Sequence, residues 1–357
     1  MPRRAERATL AEEVALGPPL PITTSPMEAH IADELPDGRH WQFEPKWDGF
    51  RCLAFREGDE VDLRAKSGKP LGRYFPEIVE ALRSIKSERF VLDGELVVPM
   101  HDTLSFAALQ MRLHPAESRI RRLAAETPAL LILFDCLATS RQVLTGETLS
   151  RRRAALDDFF RKIPAADRFR LSPYTIERRE ALKWLSRASG AIDGVVAKPL
   201  DGIYEPGERR MIKVKQLRTA DCVVGGFRYT QKAQHVGSLL LGLYNERGEL
   251  DHVGFTSTLP KPELPALTRK LEALIAPPGF TGNAPGGPSR WSTARSADWQ
   301  PLRPELVVEV RYDHVTADRF RHGTKLMRWR PDKAPAQCTF EQILRPAGPA
   351  ELIAAVV

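Results

Sequence analysis

Between residues 41 and 215 the hydrophobic pattern switches between a spacing of two and a spacing of three to four. FEPK and RCLAFREGDEVDLRA predict strands, the second a hairpin turning at Glu57-Gly58-Asp59. Residues 76–87 place Ile78, Val79, Leu82 and Ile85 at helical spacing. RFVLDGELVV predicts a strand interrupted by a tight Asp93-Gly94. PALLILFDCLA is an apolar run of strand length, which predicts a buried central strand. Two helices are expected next, over 149–163 with Ser150 as cap and over 176–188 closing on Gly190. DGVVAK and MIKVK predict the last strands of this region.

After Lys215 the pattern changes. ADCVVGGFRYT, VGSLLLGLYN and LDHVGFTST predict short strands, with a hairpin turn at Glu246-Arg247-Gly248-Glu249. One helix is expected over 261–275, then a loop over 276–292 rich in Pro, Gly and Ser. LVVEVRYDHV and KLMRWR predict the closing strands. Several short strands with one helix suggest a small, partly closed barrel of the oligonucleotide-binding (OB) type. The fold class is therefore α+β in two domains. A tail occupies 1–20, a first domain 21–216, and a second, barrel-like domain 217–357. No repeat or low-complexity block is visible.

Composition narrows this modestly. The 357 residues are 42% hydrophobic and 28% charged, as in an ordinary globular protein. A net charge of +7 is compatible with a polyanionic partner without requiring one. Cys52, Cys136, Cys222 and Cys338 lie far apart, which argues against a zinc knuckle or a disulfide framework and makes a reducing cytoplasm the default. No apolar run approaches the roughly 20 residues that span a bilayer, and the N-terminus has no apolar signal segment.

The chemistry concentrates in a few segments. In Glu44-Pro45-Lys46-Trp47-Asp48-Gly49-Phe50-Arg51 a lysine ends a strand. It is either a surface hairpin tip or a nucleophile, and the second role needs nearby cations or a metal to favour the neutral amine. Asp93-Gly94-Glu95 reads as a hairpin turn or as two acids at a site, and Phe134 as core or as a stacking platform. In Asp193-Gly194-Val195-Val196-Ala197-Lys198, residues 196 and 198 share a face, as do 193 and 195 unless the glycine bulges. Lys213 and Lys215 point to one side of their strand, where a phosphate would satisfy both. A solvated edge strand is the alternative.

Taken in order and ending in Arg330-Pro331-Asp332-Lys333, these segments resemble the covalent nucleotidyltransferases, and among them the ATP-dependent DNA ligases. The chain looks most similar to bacterial ligase C and to the ligase module of bacterial ligase D. The resemblance implies that Lys46 becomes AMP-lysine, with Glu44 near the adenine edge and Arg51 on the ribose and phosphate. Phe134 would stack on adenine with Val196 opposite. Lys66 would hold the ribose or a 5′-phosphate. Glu95 would bind the ribose, and Asp48, Glu95 and Asp193 would hold a metal, Mg²⁺ or Mn²⁺. Lys198, Lys213 and Lys215 would grip the α-phosphate, and Arg330, Asp332 and Lys333 would orient pyrophosphate. Two positions depart from the family pattern: Asp193 stands where Glu is common, and Lys66 where Arg is common, which removes a planar fork.

The same resemblance implies three steps: ATP attack by Lys46, AMP transfer to the 5′-phosphate of a nick, and displacement of AMP by the 3′-hydroxyl. Nicked duplex DNA is the implied partner, in excision repair or end joining, beside an end-binding protein or a repair polymerase. A monomer in a bacterial cytoplasm, associated with the nucleoid, is expected. Arg319, Arg321, Lys325 and Arg328 are candidate phosphate contacts, with a solvated hairpin connection as the alternative. Two further arginine clusters, 151–153 and 119–122, are read as phosphate contacts or solvated helix faces. RNA ligation, guanylyl transfer in capping and a non-catalytic nucleic-acid-binding module are the other readings.

Overall fold

The computed structural model describes residues 19–100, 103–163, 168–188, 192–230, 235–286, 298–316, 318–344 and 354. Most of the N-terminal tail, Gly190 and the far part of the 276–292 loop lie outside them. Among the described residues no helix is long and apolar enough to cross a membrane.

The chain opens with β1 (Glu28–Ala32), β2 (Trp41–Trp47), β3 (Phe50–Glu57) and β4 (Glu60–Ala65). β3 and β4 form the predicted hairpin, with Gly58 at φ +57° in its turn. Next is α1 (Pro76–Arg83), which buries Ile78 and Leu82. β5 (Arg89–Val97) runs through Asp93-Gly94-Glu95, so the expected interruption does not occur. The segment is a strand with a register shift rather than a turn. Gly94 is required there because a Cβ would lie 2.6 Å from the Ile132 carbonyl oxygen of the neighbouring strand.

A small hairpin, β6 (Pro99–Met100) and β7 (Thr103–Leu104), precedes α2 (Phe106–Met111) and α3 (Glu117–Glu126). These four were not expected, although α3 buries Ile120 and Leu123 at helical spacing. β8 (Leu130–Ala138) is buried at every residue, as its apolar run predicts. α4 (Leu149–Phe160) has Thr148, not Ser150, at its N-cap, and the Ser150 hydroxyl donates to the Leu200 carbonyl instead. β9 (Phe169–Leu171), α5 (Arg178–Ser186), β10 (Ile192–Pro199) and β11 (Arg209–Lys215) complete this part. Two sheets result, ordered β4-β3-β5-β8-β9 and β1-β11-β10-β2.

The remaining chain forms β12 (Arg218–Tyr229), β13 (Val236–Tyr244), β14 (Leu250–Thr256), α6 (Leu264–Glu272), β15 (Gln300–Pro301) and β16 (Val307–Tyr312). The expected long strand LVVEVRYDHV breaks after Tyr312. A hairpin of β17 (Val315–Thr316) and β18 (Arg319–Phe320) follows, turning through Asp318 at φ +59°, before β19 (Lys325–Trp329). The strand order is β14-β13-β12-β16-β19, with β15 against β12. Its ends meet at a single bridge, Thr256 to Thr324, so no closed barrel forms among the described residues. One hydrophobic cluster, including Val224, Phe227, Leu241 and Val308, fills this sheet, and others including Leu92 and Leu133 or Phe43 and Ile132 fill the first part.

The β16–β19 ladder pairs Arg311 with Lys325 and Val308 with Trp329. Residues 313–322 therefore leave one end and Arg330 leaves the other. At about 3.3 Å per residue the two ends stand about 15 Å apart.

Candidate active site

Lys46 sits in β2 opposite Gly194 of β10, and Gly194 is also opposite Lys215 of β11. Only glycine fits between these two lysines. Gly194 has φ +152°, and a Cβ there would lie 2.1 Å from the Val214 carbonyl oxygen. The register shifts between Ile192 and Gly194. That bulge settles which way Asp193 points: Val195 is fully buried, whereas Asp193 turns to the lysines. Asp193 Oδ2 lies 2.7 Å from Lys46 Nζ and 3.1 Å from Lys215 Nζ. Burial opposes ionisation of Asp193, but the two ammonium groups outweigh it and hold its carboxyl below the usual range. Asp193 Oδ1 is buried with no hydrogen-bond partner among the described residues.

Lys46 opens into a cleft of about 890 Å³ including its mouth, walled by both sheets. At one end Glu44 accepts a hydrogen bond from Gln42 (2.7 Å) and pairs with Lys198 (2.7 Å). The Lys198 ammonium also lies 4.6 Å from the Phe134 ring centre. Phe134 is thus both buried and a wall of the cleft, so the core and platform readings hold together. Val196 faces the same cleft. Lys198 was expected with the α-phosphate lysines, but it belongs with Glu44 at the ring end. Arg51 lies 4.5 Å from the Phe134 ring centre and forms a two-pronged pair with Asp93 at 2.6 and 2.7 Å.

At the other end lie Lys46, Lys66, Lys213 and Glu95. Burial and the charges of Lys46, Lys66 and Lys215 depress the Lys213 pKa. Three lysines therefore lie close together, two of them paired with carboxylates, Lys46 with Asp193 and Lys66 with Glu28. Lys215 does not wall the cleft. Burial disfavours its charge, but Asp193 and Asp313 outweigh burial and raise its pKa. Burial pushes the Glu95 carboxyl up to about 7 against the opposing pull of Arg51 and Lys46.

The other expected residues lie elsewhere. Arg330 (2.8 Å) and Lys333 (2.8 Å) both pair with Asp221, and Arg330 also pairs with Asp332. None of the three reaches the cleft. Both Asp48 oxygens accept from Arg321 Nη1 at 2.7 and 2.9 Å, and His314 Nε2 lies 3.2 Å away. Asp48 is therefore engaged by the 313–322 segment. Arg321, expected on DNA, also stacks on Phe106 at 3.4 Å. Arg319 is hydrogen-bonded with His252 at 2.8 Å, Arg328 pairs with Glu309 at 2.6 Å, and Lys325 is exposed. In the 151–153 cluster, Arg152 is fully buried on Asp135 and Arg153 is buried on Asp157, so neither expected reading fits them. Arg121 and Arg122 do lie on a solvated helix face, paired with Glu117 and Glu126.

Sequence reasoning noted Asp93 without giving it a role or partner, and did not single out Tyr204, Glu28 or Asp313. Asp93 is fully buried and also accepts from the Tyr204 hydroxyl at 2.7 Å, and that hydroxyl accepts from the Met27 amide at 2.9 Å. An acid inside an apolar strand was the available signal for Asp93. Glu28 pairs with Lys66 at 2.9 Å, and Asp313 with Lys215 at 2.8 Å. These are long-range pairings that no local pattern announces.

Among the described residues no group of three or more His, Cys, Asp or Glu side chains is arranged to hold a metal. The donor chemistry nevertheless fits a hard cation at two of the three expected positions. Asp193 has an unpartnered buried oxygen beside the cleft lysine, and Glu95 offers a second carboxyl. Asp48 does not fit in this arrangement, because Arg321 occupies both its oxygens.

The site is a lysine near the end of β2, beside an aromatic-walled cleft that carries further lysines and has acids at each end. Comparison with known proteins gives the family of the chain. The "ATP dependent DNA ligase domain" profile matches residues 23–215, and the "ATP dependent DNA ligase C terminal region" profile matches 232–333. DNA ligase C2 of Mycolicibacterium smegmatis is 44% identical over 338 residues, covering 90% of this chain and 94% of that protein. DNA ligase C of Mycobacterium tuberculosis is 43% identical, covering 92% and 96%. A solved structure from work on Lig E DNA ligases has a TM-score of 0.55 at 16% identity, covering 85% of this chain and 99% of that one, a likeness of fold alone. The chain belongs to the ATP-dependent DNA ligase family, and the sequence resemblance drawn from its motifs is borne out.

Proposed function

We propose that this ligase seals nicks bearing a 5′-phosphate and a 3′-hydroxyl, with Lys46 as the residue that carries AMP. The observation that carries the assignment is the cleft. It gathers Glu44, Lys46, Arg51, Lys66, Glu95, Phe134, Val196, Lys198 and Lys213 around one strand-end amine. Adenine fits the end with Phe134, Val196 and Glu44, where one face is aromatic and a carboxylate can accept from an exocyclic amine. The α-phosphate fits the end with Lys46 and Lys213. In the first step Lys46 Nζ forms a bond to the α-phosphorus, its proton passes to solvent, and the bond to the bridging oxygen breaks to release pyrophosphate. A divalent cation held by Glu95 and Asp193 would supply charge neutralisation. Lys66 and Arg51 hold the ribose and phosphate side. AMP then passes to the 5′-phosphate, and the 3′-hydroxyl displaces it.

The proposed organisation is a tail (1–20), a nucleotidyltransferase domain (21–216) and an OB-type domain (217–357). Residues 313–322 and the 330–333 segment leave opposite ends of one ladder, so they cannot both occupy the Lys46 cleft. With Arg321 on Asp48, the arrangement here suits sealing. Pyrophosphate orientation by Arg330, Asp332 and Lys333 requires the second domain to turn. Arg319, Lys325 and Arg328 are proposed DNA contacts, and Arg321 becomes an interdomain contact. The setting is DNA repair in a bacterial cytoplasm, by a monomer, beside an end-binding protein or a repair polymerase. The test is to incubate the protein with Mg²⁺ and α-labelled ATP or GTP, then add nicked DNA. Label from ATP alone, discharged as strands join, supports the reading. Label from GTP moves the protein to the capping class, and no label from either overturns it.

A further inference from the structure

We propose that Asp313 is a positioning residue for Lys215, and that through this contact it sets the balance between the adenylation and sealing arrangements. The inference rests on the ligase reading above and adds a residue to it. Lys213 and Lys215 lie two apart on β11 and would be expected to act alike. They do not. Lys213 walls the cleft, while Lys215 is held outside it between two carboxylates, Asp193 at 3.1 Å and Asp313 at 2.8 Å.

Asp313 follows the last residue of β16, at the end of the ladder that carries Arg321. Its own carboxylate is also held by His322 Nδ1, at 3.0 and 3.1 Å from its two oxygens. The contact therefore runs from the second sheet through Asp313 and Lys215 to Asp193 and Lys46. It exists only while the 313–322 end lies against Lys215 and Asp48. When the 330–333 end takes its place, Asp313 moves away by the length of the ladder, about 15 Å. Lys215 then keeps one carboxylate partner and becomes available to an incoming phosphate. Asp313 thus favours sealing twice: it joins the sheets in that arrangement, and it withdraws a phosphate-binding lysine from the adenylation site.

The test compares two single-turnover rates in wild type, Asp313→Asn and Asp313→Glu. One is labelling by α-labelled ATP without DNA. The other is sealing of a nick already carrying a 5′-adenylate, without ATP. Wild type is measured first and carries the ligase reading, so its failure is distinct from failure of this inference. The prediction is that Asp313→Asn slows sealing about tenfold while labelling becomes faster, a coupling of ordinary size between sites. Asp313→Glu, which keeps the charge, restores most of the sealing rate. If Asp313→Asn does not fold, Asp313→Ser removes the charge with a smaller side chain and is read in the same way. Equal loss of both rates, or sealing at the wild-type rate, overturns the inference.

Discussion

Asp193 Oδ2 stands 2.7 Å from Lys46 Nζ, so the proposed nucleophile is held by a carboxylate from the neighbouring strand. Attack needs the nitrogen lone pair, so this pair is a resting state in which Asp193 aims the amine and must then release it. Asp193→Asn keeps the shape and removes the charge. It is expected to slow single-turnover labelling from ATP about 100-fold, the scale on which loss of one electrostatic partner acts. Labelling within twofold of wild type would remove Asp193 from the mechanism.

Gly194 separates Lys46 from Lys215, and its space is already occupied. An added Cβ would lie 2.1 Å from the Val214 oxygen, so Gly194→Ala must push β10 and β11 apart. A loss of about 3 kcal/mol in urea unfolding is expected. Labelling should fall as well, even at temperatures where the variant stays folded.

Arg152 and Arg151 adjoin in sequence and differ in consequence. Arg152 is buried against Asp135, so Arg152→Ala strands a buried carboxylate and is expected to cost about 3–5 kcal/mol. Arg151 is exposed and paired with Glu147, and Arg151→Ala should change stability by less than about 0.5 kcal/mol. Parallel urea melts decide this, and similar melts for the two variants would contradict it.

The Glu95 carboxyl is pushed up from 4.5 to about 7 by burial. Between those pH values the folded protein keeps a proton that the unfolded chain releases. This group therefore lowers stability progressively as pH rises from about 4.5 to about 7, with no further loss above. Glu95→Gln has no such loss. With EDTA present, its stability relative to wild type should improve between pH 5 and pH 7.5. A constant difference would show that Glu95 is not desolvated in solution.

What was legible in the sequence follows from how local each feature is. β8 was readable because nine consecutive buried residues leave an unbroken apolar run. The β3–β4 hairpin was readable because its turn needs Gly58. The cleft residues were readable as motifs, and the alternation rule for 196 and 198 placed both correctly. The direction of Asp193 was not readable, since it depends on a bulge set by Lys46 and Lys215 from two other strands. Asp93 was missed as a partner because Arg51 and Tyr204 come from 42 and 111 residues away. Arg152 was misjudged because a run of three arginines looks solvated until Asp135 is known to lie beneath it. The 330–333 segment was singled out as a motif, but its pairing with Asp221 and its distance from Lys46 depend on how the two sheets dock.

The most direct measurement is to locate the nucleotide. The protein is incubated with Mg²⁺ and α-labelled ATP, precipitated, digested, and its labelled peptide sequenced by mass spectrometry, with Lys46→Ala in parallel. One AMP adduct is expected, on the peptide containing Lys46, released by hydroxylamine and absent from the variant. An adduct on another lysine, or equal labelling of Lys46→Ala, would contradict the role of Lys46.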